Sequence, residues 1–452
     1  MRVAVVGGGI AGLSAVHALV AGEHAPQPQV VLFEAGDHLG GKIRTTPFAG
    51  IPAVDEGADA FLARVPWATA LAREVGLGET LTSPQSGKAA VWFDAMHDIP
   101  EGLLLGMPTD LLALSRSHLL SWRGKLRAAT EPLRRQTSLA PDSLGAYVRD
   151  RFGEEVHERL VDPLVGSIYA ADTDRFSLAA VPQIAELAGR SRSVLLAART
   201  RPPAPTGPVF YSPTGGMGAL VAALAGEATA RGVEIRTSAS VTELAADGRA
   251  WRVDGEPFDA VVLACPAKPA TKLLAGGAAG SASTLSAIPT ADVVLVAVTV
   301  AAAGWPERLT GRSGYLVPKP RQRLVTAVSF GSQKWAHWQV PGKVVLRISL
   351  GRDGLPVLQL TDDDLVAAAV DDASRHLGVD LQPGDVRISR FPAAFPQYRP
   401  HHGERIAAAD AALPPGIAIA GASYHGIGIP ACIRSGTEAA GRVLSHLGVL
   451  PE

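Results

Sequence analysis

Glycines at positions 7, 9 and 12 and a carboxylate at Glu34 are spaced for the first recognisable chemistry in this chain. Gly7 permits a tight turn, Gly9 lets the backbone approach a pyrophosphate, and Gly12 lets a helix pack closely on a strand. Gly8, Ile10 and Ala11 complete the G-x-G-x-x-G loop. Glu34, followed by Ala35, stands where an acid accepts the hydroxyls of an adenosine ribose, and its charge disfavours the 2′-phosphate of NADP. A second pair, Gly40-Gly41, leads into Lys42 and Arg44. Paired glycine N–H groups and cations bring a second clamp to the same pyrophosphate. Such a clamp suits a dinucleotide held permanently, which favours FAD over a nicotinamide.

These residues need a frame, and the chain supplies one. Residues 3–6 form a continuous apolar run expected to be a buried parallel strand, residues 13–21 a helix, and residues 30–33 a second strand ending at Glu34. The same order returns near the carboxyl end. An apolar strand at 417–420 enters the loop Gly421-Ala422-Ser423-Tyr424-His425-Gly426-Ile427-Gly428-Ile429, and a small-residue helix runs to about Leu447. Each glycine loop ends at a helix N-terminus, where free N–H groups and a partial positive charge receive an anion.

Residues 34–45 resemble the glycine-pair motif of the flavin-containing amine oxidase superfamily, whose branches include the porphyrinogen oxidases and phytoene desaturases. Val54-Asp55-Glu56-Gly57-Ala58-Asp59-Ala60-Phe61 is similar to the next flavin-contacting stretch of the porphyrinogen oxidases. The terminal run Gly-Ala-Ser-Tyr…Gly-Ile-Gly-Ile-Pro-Ala-Cys-Ile-Arg-Ser-Gly resembles that of the bacterial enzymes. The resemblance implies a noncovalent FAD touched by Gly421, Ala422, Ile427, Gly428 and Ile429, by Gly57, Ala58, Asp59 and Ala60, by the backbone at Val241, and by Phe391, where the family usually has Trp. Cys432, inside the opening of the last helix, reads as a small buried hydrophobe.

The same resemblance implies the substrate. Asp162 to Asp172 is similar to a family loop usually read Gly-Ile-Tyr, here Ser167-Ile168-Tyr169. The mitochondrial arginine after the counterpart of Pro100 has no match, and that departure, with the short chain, resembles the Gram-positive branch. Members of that branch oxidise coproporphyrinogen III to coproporphyrin III in haem biosynthesis, with O2 as acceptor and H2O2 released. Protoporphyrinogen IX is the alternative, followed by another amine oxidase or desaturase, and by a flavoprotein that has lost its chemistry. An amine oxidase needs an aromatic cage, and Tyr398 and Tyr424 are the only obvious pair. Propionates call for cations; Arg64 is the first candidate, then Lys88 and Arg175, each also readable as a surface cation. His425 fits either a place beside the flavin or a surface loop. His401-His402 reads as solvated, and no metal site is expected.

Three units are expected: a discontinuous Rossmann-like FAD-binding domain (1–65, 209–270 and 400–452), a substrate domain (66–100 and 271–399) and a helical subdomain (101–208), an α/β and α+β architecture. Strands are expected at 233–236, 240–244, 251–253 and 260–264, and an antiparallel cavity floor from runs at 293–300, 324–330 and 344–348. Pro202 to Pro205 reads as a stiff linker. Arg116, Arg123, Lys125, Arg127, Arg134 and Arg135 gather around Glu131 alone, as a basic face that is either solvated or docks weakly on anionic lipid or on haem-pathway enzymes. The 452 residues are 47% hydrophobic and 19% charged, with 42 Lys and Arg against 43 Asp and Glu. That balance gives no field for nucleic acid. Two cysteines exclude a disulfide framework, and no apolar run reaches a membrane span, so a cytoplasmic protein is expected.

Overall fold

The computed structural model describes residues 1–22, 26–135, 139–200 and 206–449. The expected linker at 202–205 lies outside the described residues.

Strand Arg2–Val6 sits at the centre of a five-stranded parallel sheet in the order Glu234–Arg236, Gln29–Phe33, Arg2–Val6, Ala260–Leu263, Ile417–Ile419. Its continuous apolar run follows from burial on both faces: Val3, Ala4 and Val5 are fully buried. One face packs under the helices Ile10–Ala21, Gly218–Ala230 and Ile429–His446. The other is covered by the helices Ala267–Leu274 and Ala279–Ser286 and a small antiparallel meander over 244–258. Strands from three distant stretches of chain therefore share one sheet.

Glycine sets the closeness of these layers. The first helix begins at Ile10, three residues earlier than expected, because Gly9 is extended and already serves as its N-cap. Gly12 thus lies inside the first turn, and a Cβ there would overlap the Gly7 carbonyl oxygen. Likewise a Cβ on Gly436 of the last helix would overlap the carbonyl oxygen of Ala11. The expected strand at 240–244 is not one; the strand there is Leu244–Asp247. Residues 238–239 instead donate their amides to Gly36 and Glu34 carbonyls, so this segment crosses the sheet edge as a bridge.

A second sheet has seven strands: Val386–Pro396, Thr290–Ala301, Lys343–Leu350, Val325–Phe330, Gly314–Leu316, Ala89–Phe93 and Ala95–Asp98. It is mixed rather than purely antiparallel, since Gly314–Leu316 runs parallel to Ala89–Phe93. Its two faces differ in chemistry. Val294, Val296, Leu346, Ile348, Val328 and Phe330 point under the helix Asp362–Leu377 and form an apolar core. The opposite face carries polar residues such as Ser329, Arg347 and Ser349, and at Ala297 and Val345 it packs against Phe48, Ile51 and Val54.

The remaining helical unit has its own core around Tyr147, Phe152, Leu160 and Phe176. The supposed loop at 162–172 is largely the helix Asp162–Tyr169, with Pro163 in its first turn and Ala170 left-handed at its end. Glu131 is fully buried, where it accepts hydrogen bonds from Arg151, from Ser193 Oγ at 2.6 Å and from the Val194 amide at 2.9 Å. Two cations of the expected basic face are drawn off it. Arg127 turns inward to the carbonyls of residues 149–151, and Arg134 pairs with Asp150 at 3.1 Å. Arg116, Arg123 and Arg135 stay exposed. Among the described residues no helix is long and apolar enough to cross a membrane.

Candidate active site

A cavity of about 770 Å³ lies between the two sheets. At one end the glycine loops form its wall. Gly7, Gly9, Ile10, Ala11, Gly40 and Gly41 all line it, and the loops are joined by Gly40 N–H donating to the Gly8 carbonyl at 2.8 Å. The position of a Cβ on Gly9 meets no atom within 4 Å, so an open cradle faces that residue. The first helix has no side-chain cap at Gly9, nor has the last helix at Gly428. Gly428 and Ile429 line the same cavity. Two helix N-termini thus aim unsatisfied N–H groups into one space, as an anionic or carbonyl-rich ligand requires.

Glu34 and Ala35 stand at this end too. The Glu34 carboxylate is oriented by two main-chain donors, Gly8 N–H and Gly36 N–H, each at 2.7 Å. Each oxygen keeps a lone pair free for ribose hydroxyls. Gly8 and Gly12 do not reach the cavity; they set the geometry behind it. Arg44 pairs with Glu56 at 3.4 Å beside a neighbouring cleft. Lys42 is exposed and lines both the cavity and the neighbouring cleft; partial desolvation lowers the pKa of its ammonium.

Gly57, Ala58, Asp59, Ala60, Val241, Phe391, Gly421, Ala422 and Ile427 join the same wall. Phe391 packs against Gly57, where a Cβ would lie 3.4 Å from its ring edge. Cys432 also lines the cavity, but burial pushes its thiol up to about 11, and its Sγ points to the carbonyls of Gly426 and Ile427 at 3.6 Å. Open glycine cradles, free first-turn amides and an oriented acid fit a dinucleotide.

The rest of the wall comes from the second sheet and from the helix Asp162–Tyr169. Val293 and Leu295 supply apolar surface; Thr326, Ser329, Arg347 and Ser349 supply polar groups, with Lys334 just beyond the strand Val325–Phe330. Asp59 joins the two halves. Its Oδ2 lies 2.8 Å from Lys334 Nζ, 3.0 Å from Trp335 Nε1 and 3.2 Å from Arg347. Burial alone would raise the Asp59 carboxyl, but Lys334 and Arg347 outweigh it and hold it well below the ordinary range. Arg347 also donates to the Gly57 carbonyl. Farther along, Arg352 forms a two-point pair with Asp162 at 3.0 and 3.2 Å.

The substrate candidates divide. Ile168 lines the cavity, and its neighbour Tyr169 packs on Phe176 with ring centroids 4.8 Å apart. Arg64, Lys88 and Arg175 are exposed and stand outside the wall; Arg175 faces Asp353 at 3.9 Å. His425 also stays off the wall, 3.3 Å from Asp410. His402 is buried rather than solvated: it stacks on Tyr398 at 3.9 Å, faces the Tyr424 carbonyl at 3.2 Å, and burial lowers its pKa to about 4. Tyr398 and Tyr424 form no cage. Their hydroxyls donate to the carbonyls of Ala422 at 2.6 Å and Cys265 at 3.0 Å, pinning the terminal glycine loop.

Lys334, Arg347 and Arg352 are the wall cations that motif reading missed. One signal was available: in Lys343–Leu350, Val345, Arg347 and Ser349 alternate with Val344, Leu346 and Ile348, so one face is interrupted by polar groups.

Comparison with known proteins agrees with this architecture. Residues 10–444 match the family described as flavin containing amine oxidoreductase. A coproporphyrinogen III oxidase of Mycobacterium leprae is 34% identical over 98% of this chain and 97% of its own length. One from Bacillus subtilis is 29% identical over 99% and 98%. A crystal structure from Exiguobacterium sp., provisionally described as a protoporphyrinogen oxidase, superposes with a TM-score of 0.86 at 30% identity, over 99% of both chains.

Proposed function

The chain belongs to the flavin containing amine oxidoreductase family, with FAD as its cofactor, and we propose that it oxidises coproporphyrinogen III to coproporphyrin III. Dioxygen would take the electrons, with three O2 reduced to three H2O2 for the six hydrogens removed. The observation that carries this reading is the shared cavity, in which a dinucleotide cradle opens directly onto a polar, cation-bearing sheet.

Bound FAD supplies a two-electron hydride acceptor. In this reading the first-turn amides at Ile10 and Ala11, with Gly40, Gly41 and Lys42, hold its pyrophosphate, and Glu34 holds the adenosine ribose. The amides at Gly428 and Ile429 face the ring end. The protein's remaining task is to place a substrate carbon and exclude water. Val293, Leu295, Phe395 and Ile427 form the dry wall for a macrocycle. Among the described residues the wall holds four cations, Lys42, Lys334, Arg347 and Arg352, against the three carboxylates Glu34, Asp59 and Asp162. With Asp59 and Asp162 both engaged by cations, neither is free to act as a base toward the substrate.

The near relatives' names support coproporphyrinogen III; the Exiguobacterium structure's description favours protoporphyrinogen IX as the second reading. Anaerobic reduction of the bound flavin by each porphyrinogen, side by side, separates them. Coproporphyrinogen III is expected to bleach the flavin faster. Bleaching by neither above the buffer rate would overturn the function, and preference for protoporphyrinogen IX would reassign it.

A further inference from the structure

The polar face of the seven-stranded sheet carries an arrangement that the cofactor does not absorb. Antiparallel register sets Ser329 opposite Arg347, and Ala327 opposite Ser349, on adjacent strands. The chain leaves Phe330 into one short helical turn, Gly331–Lys334, which brings Lys334 back over this row. Ser329, Lys334 and Arg347 all line the cavity. Their hydrogen bonding is incomplete in a specific way. Lys334 has three donors and spends one on Asp59 at 2.8 Å. The Ser329 hydroxyl is shielded from solvent and has no partner. One carboxylate, Asp59, faces two cations, which leaves one positive charge over.

A buried polar atom without a partner costs stability, and an uncompensated cation in an enclosed wall costs more. The second is relieved by an anion in the cavity. Resting on the porphyrinogen reading above, we infer that Lys334 and Arg347 form a carboxylate subsite that takes one propionate of the substrate. Lys334 donates to the carboxylate, while Arg347 contributes charge from behind. Asp59 is the positioning residue: it fixes both cations and leaves the outward donors of Lys334 unused. The subsite thus binds a substrate carboxylate on the sheet, away from the glycine loops.

Binding of coproporphyrin III and of its tetramethyl ester, followed by porphyrin fluorescence on the FAD-loaded protein, tests this without turnover. Lys334→Met leaves Asp59 paired with Arg347 and Trp335 Nε1, so the flavin is expected to stay bound. The variant is expected to lose about tenfold or more in affinity for the acid and to change little for the ester, as loss of one charge-assisted hydrogen bond predicts. Lys334→Arg is expected to restore most of the loss. If Lys334→Met keeps the wild-type preference of acid over ester, the subsite is wrong. Colourless Lys334→Met would also overturn it, because it places the lysine in cofactor retention. A wild type that binds the acid Lys334-dependently, yet is not reduced by any porphyrinogen, would sink the function and spare the subsite.

Discussion

At the cofactor end the cavity wall is mostly main chain: glycine loops, free amides and a single oriented acid. At the far end it is mostly side chains standing on strands, with Arg347, Ser329 and Ser349 on neighbouring positions of one face. The two materials tolerate change differently. Backbone recognition demands the absence of a Cβ, a requirement that no substitution of glycine meets. A side-chain surface can exchange its polar groups while the strands under it keep their pairing, because the opposite face supplies the core.

The sharpest way to break this contrast lies in the glycines. Gly12→Val would drive a branched side chain into the Gly7 carbonyl, and overpacking of this kind costs about 1–3 kcal/mol and occasionally more. Thermal unfolding is expected to show a large loss of stability. Gly9→Val has open space before it, so the fold is expected to survive while the flavin is lost. A stable but colourless Gly9→Val beside an unstable Gly12→Val would separate a glycine that serves the ligand from one that serves packing. Full flavin occupancy in Gly9→Val would remove the loop from the cofactor site.

Asp55 offers a smaller test, at the joint that supports the cofactor half. It is fully buried, its Oδ1 accepts from Thr45 Oγ1 at 2.5 Å and from the Met217 amide at 2.8 Å, and burial pushes its carboxyl up to about 6. A carboxyl raised in the folded state stabilises the protein fully below the unfolded value and loses that contribution as pH rises through about 6. The loss is on the order of 3 kcal/mol between pH 4 and 7. Asp55→Asn keeps the acceptor and removes the titration. The difference in unfolding free energy between wild type and variant is therefore expected to vary over that window, and a flat difference would refute the assignment.

The smallest effect is expected at Arg64, Lys88 and Arg175. Each is exposed, and exposed charges contribute about 0–1 kcal/mol. Their alanine variants are expected to keep substrate affinity within about twofold of wild type. A tenfold loss in any of them would move the carboxylate contact back to the surface.

How far each region could be read in advance follows from the range of its interactions. The strand–glycine–helix units at 7–12 and 421–429 were legible because a tight turn and a close approach are local demands. The cavity places their glycines together, along with the stretch from Gly57 to Ala60. The helix at Asp162–Tyr169 was misread as a loop, although Asp162-Pro163 is a good helix opening. His402 was misread as solvated although its stacking partner Tyr398 is only four residues away; what encloses it is the terminal loop, whose Tyr424 carbonyl comes from 22 residues on. The basic run near Glu131 hid a buried acid, since its main partner Arg151 lies 20 residues away.

What the chain determined by itself is the identity of the cofactor end. Glycines, a strand-end acid and an uncapped helix start are requirements of the backbone, and they leave their mark in consecutive residues. What only the tertiary structure decided is which charges face the substrate. Lys334 and Arg347 belong to the wall because strand pairing and a short helical turn bring them to Asp59, more than 270 residues before them. A charge does not declare its partner in sequence; burial and register assign it, since an enclosed cation persists only where geometry supplies an anion.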